Sequence, residues 1–388
     1  MRKLRSCSFS TWLIVYVLFT FTFLTSNIEA FDSFLQLPLY GTTRTRPRSK
    51  RVLFIGDFGA QGDGVNDDTE AFKDAWEVAC SLSGRIRIVL PTEYMFLIHP
   101  IEFIGPCRSK VTIQISGTIV APEDPDAWQD LSHRKWLYFQ GVNHLTIEGG
   151  GTINGMGQEW WARSCKTNST NVLPSCSLSL FPLKTDLLGS NLDFKWSYGS
   201  RVNMLQRCKY VNVKNLMVLD SQQMHISFTK CLRVVASHLE VIAPACSPNT
   251  DGIHISDSKG VEVKDSIIRT GDDCISIVSN SSRIQIKDII CGPGHGISIM
   301  QTSAVKVENI AFMHIKGTSA TEKAIKFACS NDYPCEGLYL EDIELVSSSG
   351  GMTKSFCWAA YGSCSGLVNP PPCFSCSESF IRRTGFCH

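Results

Sequence analysis

The sequence is poor in charge. Only 19% of its 388 residues are Asp, Glu, Lys or Arg, and 37 bases against 36 acids leave a net of +1. Such a balance offers no broad surface of one sign to attract nucleic acid. The one basic cluster, Arg44 to Arg51, is not interleaved with aromatics and reads as a processed or solvated leader. Spanning segments are also missing: the uncharged stretch from Thr11 to Phe23 falls short of the roughly 20 residues that cross a bilayer, and nothing later resembles a second span. No helix-length pattern separates the short apolar strands of the second half. That excludes a βαβ sheet, whose parallel strands need crossovers of about ten residues or more. Cys373-Phe-Ser-Cys376 has the spacing of a redox or zinc motif, but it lacks a second CxxC or a His pair nearby, so no metal is expected.

What is present begins with a secretion signal. Arg2, Lys3 and Arg5 precede the apolar run, and the segment closes on Ala30. Residues 1–30 are therefore expected to be removed, leaving one domain over 31–388 that is exported and no longer attached to a membrane. Three bases and one acid depart with the signal, so the net charge goes from +1 to −1. Of 17 cysteines Cys7 also departs, and the even remainder in an oxidising compartment reads as disulfides, with Cys274–Cys291 and Cys329–Cys335 as local candidates. Asn168-Ser-Thr and Asn280-Ser-Ser are glycan acceptor triplets.

The remaining 43% hydrophobic composition, ample for a large core, is organised as a repeat. Val211-Asn-Val213, Val234-Val-Ala236, Val261-Glu-Val263, Ile284-Gln-Ile286 and Val305-Lys-Val307 recur at steps of 23, 27, 23 and 21 residues. Each period-two strand is followed by Asn, Asp or Ser, a second apolar run and a Gly/Ser-rich corner. This pattern predicts an all-β solenoid of stacked parallel coils from about residue 85, with an antiparallel sandwich as the rival. Upstream, Asn66-Asp-Asp68-Thr69 supplies capping side chains for a helix with apolar residues 72, 75, 76 and 79, placed to cover the open end of the stack. The segment from Asn154 to Trp196 reads as a long excursion from one coil.

Three polar clusters fall in consecutive coils: Asn249-Thr-Asp251, Gly271-Asp272-Asp273 and Gly294-His295-Gly296. Asp251 to Asp273 and Asp273 to His295 are both 22 residues, so the three should form a column at the strand spacing of about 4.8 Å. Asp272 and Asp273 can share a cleft only if the chain bends, which Gly271 permits. Crowded carboxylates cannot all ionise at ordinary pKa; one keeps a proton and can act as acid while an ionised neighbour acts as base. That pairing is the equipment for inverting glycoside cleavage. The competing readings are turn residues in stacked ladders and a calcium site, the latter disfavoured by the absence of a bidentate Glu.

These motifs, in this order, resemble the signature of the polygalacturonases of glycoside hydrolase family 28, closest to plant members. The likeness extends to Asp57-Phe-Gly-Ala-Gln-Gly-Asp-Gly-Val-Asn-Asp-Asp68, Gly117-Thr-Ile-Val-Ala-Pro122 and Gly149-Gly-Gly-Thr-Ile-Asn154. The resemblance implies a right-handed parallel β-helix with an N-terminal capping helix. It also implies hydrolysis of α-1,4-linked galacturonan in pectin with inversion, by a monomeric enzyme of the cell wall that needs no cofactor. Carried over by position, Asp272 is the proton donor, Asp251 and Asp273 activate water, His295 is the histidine of the centre and Asn249 contacts substrate.

One departure stands out. Family members continue from the histidine motif to an Arg-Ile-Lys coil that binds the substrate carboxylate, whereas here the chain reads Ile299-Met-Gln-Thr-Ser303. The near match Ala324-Ile325-Lys326 sits in a setting like a later family coil. About two to three coils are thus expected to be missing between 299 and 302, and with them the clamp. An active pectin hydrolase, slower than a form retaining the coils, and a catalytically impaired β-helix that binds wall polysaccharide are the two functional classes that follow.

Overall fold

The computed structural model describes residues 50–128, 135–164, 201–278, 280–300 and 306–375. The expected processing at Ala30, the Asn168 acceptor and Val305 lie outside them. Ser49–His388 groups as one compact unit.

The described chain is a right-handed parallel β-helix. One sheet runs from Lys50–Phe54 to Ala360–Asn369, the other from Ile101–Ile104 to Lys354–Trp358, and the strand pairs in both are parallel. Alternation dictates which residues face inward. In the second sheet Ile253, Ile275, Ile297 and Ile325 stack rung upon rung, followed by Ile255, Ile277, Ile299 and Phe327, all essentially inaccessible. Each such side chain contributes roughly 1.5–3 kcal/mol on burial, and the branched Ile and Val suit a pleated surface.

In the first sheet Val211, Val234, Val261, Ile284, Ile310 and Leu338 are in register. The first three steps match those read from sequence. The fourth is 26 residues rather than 21, because Ile310-Ala-Phe312, not Val305-Lys-Val307, pairs with Ile284-Gln-Ile286. Val307 is buried but precedes its strand, Glu308–Ser319. The Asn and Asp after each first run now have a role: Asn215, His238, Asp265, Asp288, His314 and Asp342 all have φ between 49° and 54°. These left-handed residues bend each long strand midway, a conformation that Asn, Asp and His tolerate better than most side chains. A second left-handed residue, Tyr210, Arg233, Gly260, Arg283, Asn309 or Gly337, lies near the start of each of the same strands.

The helix forms over Thr69–Ser81 and buries Ala71, Phe72, Ala75, Trp76 and Ala79. Trp76 meets Phe103 and Phe139 edge to face, and Cys80–Cys107 ties the helix end to the stack. Asp68 does not cap it; its carboxylate instead accepts from the Gln61 and Gly62 amides, while the Asp67 carboxylate accepts from the Thr69 amide. Coils also begin earlier than residue 85: Lys50–Phe54, which includes Arg51 of the supposed leader, pairs with Arg85 to Val89.

Cys274–Cys291 and Cys329–Cys335 are bonded as expected from sequence. Cys373, read in a CxxC, is bonded to Cys357 instead. Cys208, Cys231 and Cys246 remain thiols, so the even count does not translate into complete pairing.

Candidate active site

The acids sit in the corners that lead into strands Ile253–Ser256 and Ile275–Val278, and His295 in the corner that leads into Ile297–Met300. Register carries the 22-residue spacing into space: the Gly252 amide donates to the Asp273 carbonyl at 2.9 Å, and the Cys274 amide to the Gly296 carbonyl at 2.9 Å. Asp251, Asp273 and His295 therefore occupy equivalent positions of successive coils. Asp272 and Asp273 lie outside regular strand, which frees both to reach one cleft. Glycine is needed here for room. A Cβ on Gly294 would strike the Asp272 carbonyl and one on Gly271 the Ser247 backbone, so at Gly271 close packing rather than left-handed backbone is the requirement.

The His295 ring joins the acids, with Nδ1 at 3.0 Å from Asp272 Oδ1, and its amide donates to the Asp272 carbonyl at 2.9 Å. Asp272 Oδ1 also accepts from the Asp273 amide. Acidic oxygens of Asp272 and Asp273 and a ring nitrogen of His295 all lie within 4.8 Å of one another, a set that could also grip a cation, as could His314, Glu341 and Asp342 elsewhere on the coil. Asn249 lies two residues before Asp251 in a left-handed conformation, half-buried, with φ 57°.

Several residues escaped the sequence reading. The Ser276 hydroxyl donates to Asp251 Oδ2 at 2.5 Å, and Ser298 donates to Asp273 Oδ2. His254 Nδ1 is 2.8 Å from Ser276 Oγ. His225 is fully buried; its amide donates to the Asp251 carbonyl at 2.8 Å, and burial pushes its pKa down to about 4, so it braces the site as a neutral ring. The repeated Ile-Ser-Ile of Ile275–Ile277 and Ile297–Ile299 was the available signal, since alternation turns those serines outward beneath the acids.

Burial pushes the Asp251 carboxyl up to about 8, helped by the charges of Asp273 and Asp272. Burial also raises Asp273, but Ser298, His295 and Lys326 oppose the rise. The cluster thus keeps a proton on Asp251 through mildly acidic conditions, while Ser298, His295 and Lys326 pull Asp273 back toward its charged form. A retained proton beside an ionised carboxylate is acid–base equipment.

The sequence matches Glycosyl hydrolases family 28 over residues 80–184, 199–301 and 299–365. A probable polygalacturonase of Arabidopsis thaliana is 44% identical over 453 residues, covering 98% of this chain and 97% of the relative. Polygalacturonase-2 of Solanum lycopersicum is 34% identical, covering 87% and 82%. Among solved structures, endo-xylogalacturonan hydrolase of Aspergillus tubingensis superposes with TM-score 0.61 at 18% identity, covering 86% of each chain, and an exopolygalacturonase of Thermotoga maritima with 0.56 at 19%, covering 82% and 84%. With the family match spanning most of the coil stack and a relative 44% identical over 98% of the chain, the chain belongs to glycosyl hydrolases family 28.

Proposed function

We propose that this protein hydrolyses α-1,4-galacturonosyl linkages in pectic galacturonan, as an exported monomer acting at the cell wall. The observation that carries the reading is the acid cluster itself: Asp251 and Asp273 each anchored by a serine of the next coil, beside the Asp272–His295 pair. Asp272 hands a proton to the leaving oxygen. Asp251 and Asp273 hold and activate water, with Asp273, whose charged form Ser298, His295 and Lys326 favour, drawing off the water's proton. His295 orients Asp272, and Asn249 contacts the sugar. The relatives at 34–44% identity, named as polygalacturonases, support the substrate class.

A second reading, a β-helix that binds wall polysaccharide with little turnover, is favoured by two observations. The family match breaks at 299–301, and the alignment with the Arabidopsis relative runs over 453 residues where this chain has 388. Both support the absence of two to three coils beside the catalytic corner. Release of new reducing ends from polygalacturonate, abolished in Asp272→Asn, is the result expected of a hydrolase; saturable binding without release would establish the second reading. Stereochemistry gives a further check. Inversion predicts the β-anomer as the first product by NMR, whereas an α-anomer would make Asp273 a nucleophile.

A further inference from the structure

The second sheet presents an outward row that runs directly under the acids: Ser227, His254, Ser276, Ser298, Lys326 and Phe356 are consecutive register partners. Alternation puts these side chains on the outer face, because their neighbours Ile275, Ile277, Ile297, Ile299, Ile325 and Phe327 fill the interior. Ser276 and Ser298 anchor the catalytic carboxylates, so the next rung lies at the edge of the reacting centre. That rung is Lys326, half-buried. Its strand is seated tightly on the catalytic coil: a Cβ on Gly296 would strike the Ala324 carbonyl, and the Ala320 amide donates to the Gly294 carbonyl at 2.8 Å.

Lys326 differs from the other cations nearby. Lys323 lies over the Phe356 ring at 4.9 Å, and Lys354 pairs with Glu322. Lys326 forms no ion pair among the described residues, although its charge reaches Asp273 and works against the upward pull of burial there. An ammonium that is partly withdrawn from water and lacks a carboxylate of its own is a ready partner for an anionic ligand.

Resting on the hydrolase reading above, we infer that Lys326 binds the carboxylate of the galacturonosyl unit next to the scissile bond, so that the cation expected from an Arg-Ile-Lys coil is supplied by a residue of the strand Lys323–Ala328. Sequence placed Lys326 in a later coil. The direct pairing of Ile297–Met300 with Ile325–Ala328 puts it beside the centre. The proposal makes Lys326 a specificity residue: it rewards free carboxylate and is indifferent to methyl ester.

The test compares Lys326→Gln and Lys326→Arg, both in the active protein and in the Asp272→Asn background. Calorimetry would measure trigalacturonate and its fully methyl-esterified form binding to the inactive background. Lys326→Gln is expected to weaken trigalacturonate about tenfold or more, the loss of one charge-assisted contact, and to leave the ester within about twofold, with Lys326→Arg restoring most of the affinity. Equal losses on both ligands would show that Lys326 merely neutralises Asp273, and unchanged affinity for both would show that it is no contact; either overturns the inference. Lys326-dependent binding by a protein that releases no reducing ends would overturn the hydrolase reading alone. Hydrolysis with Lys326-independent binding would overturn the inference alone.

Discussion

Replacing Asp251 by Asn should destroy activity and stabilise the fold, with a gain that depends on pH. Asp251 is 9% exposed, and its carboxyl is pushed from 3.8 to about 8 by burial and two neighbouring acids. An acid whose pKa is raised by folding favours the folded state only while protonated. Below 3.8 both states hold the proton and there is no penalty. Above it the unfolded chain ionises while the folded one does not, so stability falls by about 1.4 kcal/mol per pH unit until the folded group titrates. Near pH 7 the accumulated cost is about 4 kcal/mol. Asn carries no charge at any pH, and its amide oxygen can still accept from Ser276. Calorimetric melting of wild type and Asp251→Asn should therefore diverge by several degrees near pH 7 in favour of the variant and nearly coincide near about pH 4. A difference that is the same at both pH values, or a variant less stable near neutrality, would refute the reasoning.

Ser298→Ala removes the donor that opposes the upward pull of burial on the Asp273 carboxyl, so the acid limb of the kcat/KM profile should move to higher pH. An unmoved limb would show that Asp273 is not the titrating base. Asp272→Asn, nearly isosteric, should lower kcat by at least about a hundredfold with an unchanged circular dichroism spectrum. Replacing Cys274 and Cys291 together by Ala should cost about 3 kcal/mol in denaturant unfolding, as expected for opening a loop of sequence separation 17, and should also lower activity because Cys274 follows Asp273 directly.

The coil plan was legible because the same alternation recurs at a near-constant step, and the acid column because 22 residues separate Asp251 from Asp273 and Asp273 from His295, a spacing that register preserves. The step from Ile284 was misread for a physical reason. Val305-Lys-Val307 alternates like a strand, but alternation says nothing about whether a segment lies in a corner, and the true partner starts five residues later. Lys50–Phe54 was missed because Arg51, Val52 and Phe54 are exposed at the first rung, so its composition lacks the buried signature. Lys326 could not be placed from sequence, since its position depends on which strands meet across residues 301–305. The serines were visible in the repeated Ile-Ser-Ile but carried no signal without knowing what lay above them.

The unbroken pairing of Ile297–Met300 with Lys323–Ala328 also bears on how such a protein changes over time. A stack whose rungs touch only their neighbours is a tape that can be cut and spliced at any whole turn, because the joint presents the same inward isoleucines and the same bend as every other joint. Splicing leaves the hydrophobic interior unchanged while bringing a new outward residue alongside the reacting centre. Binding preference in this architecture can then shift through a change in copy number alone, in one step and without altering a single codon at the site.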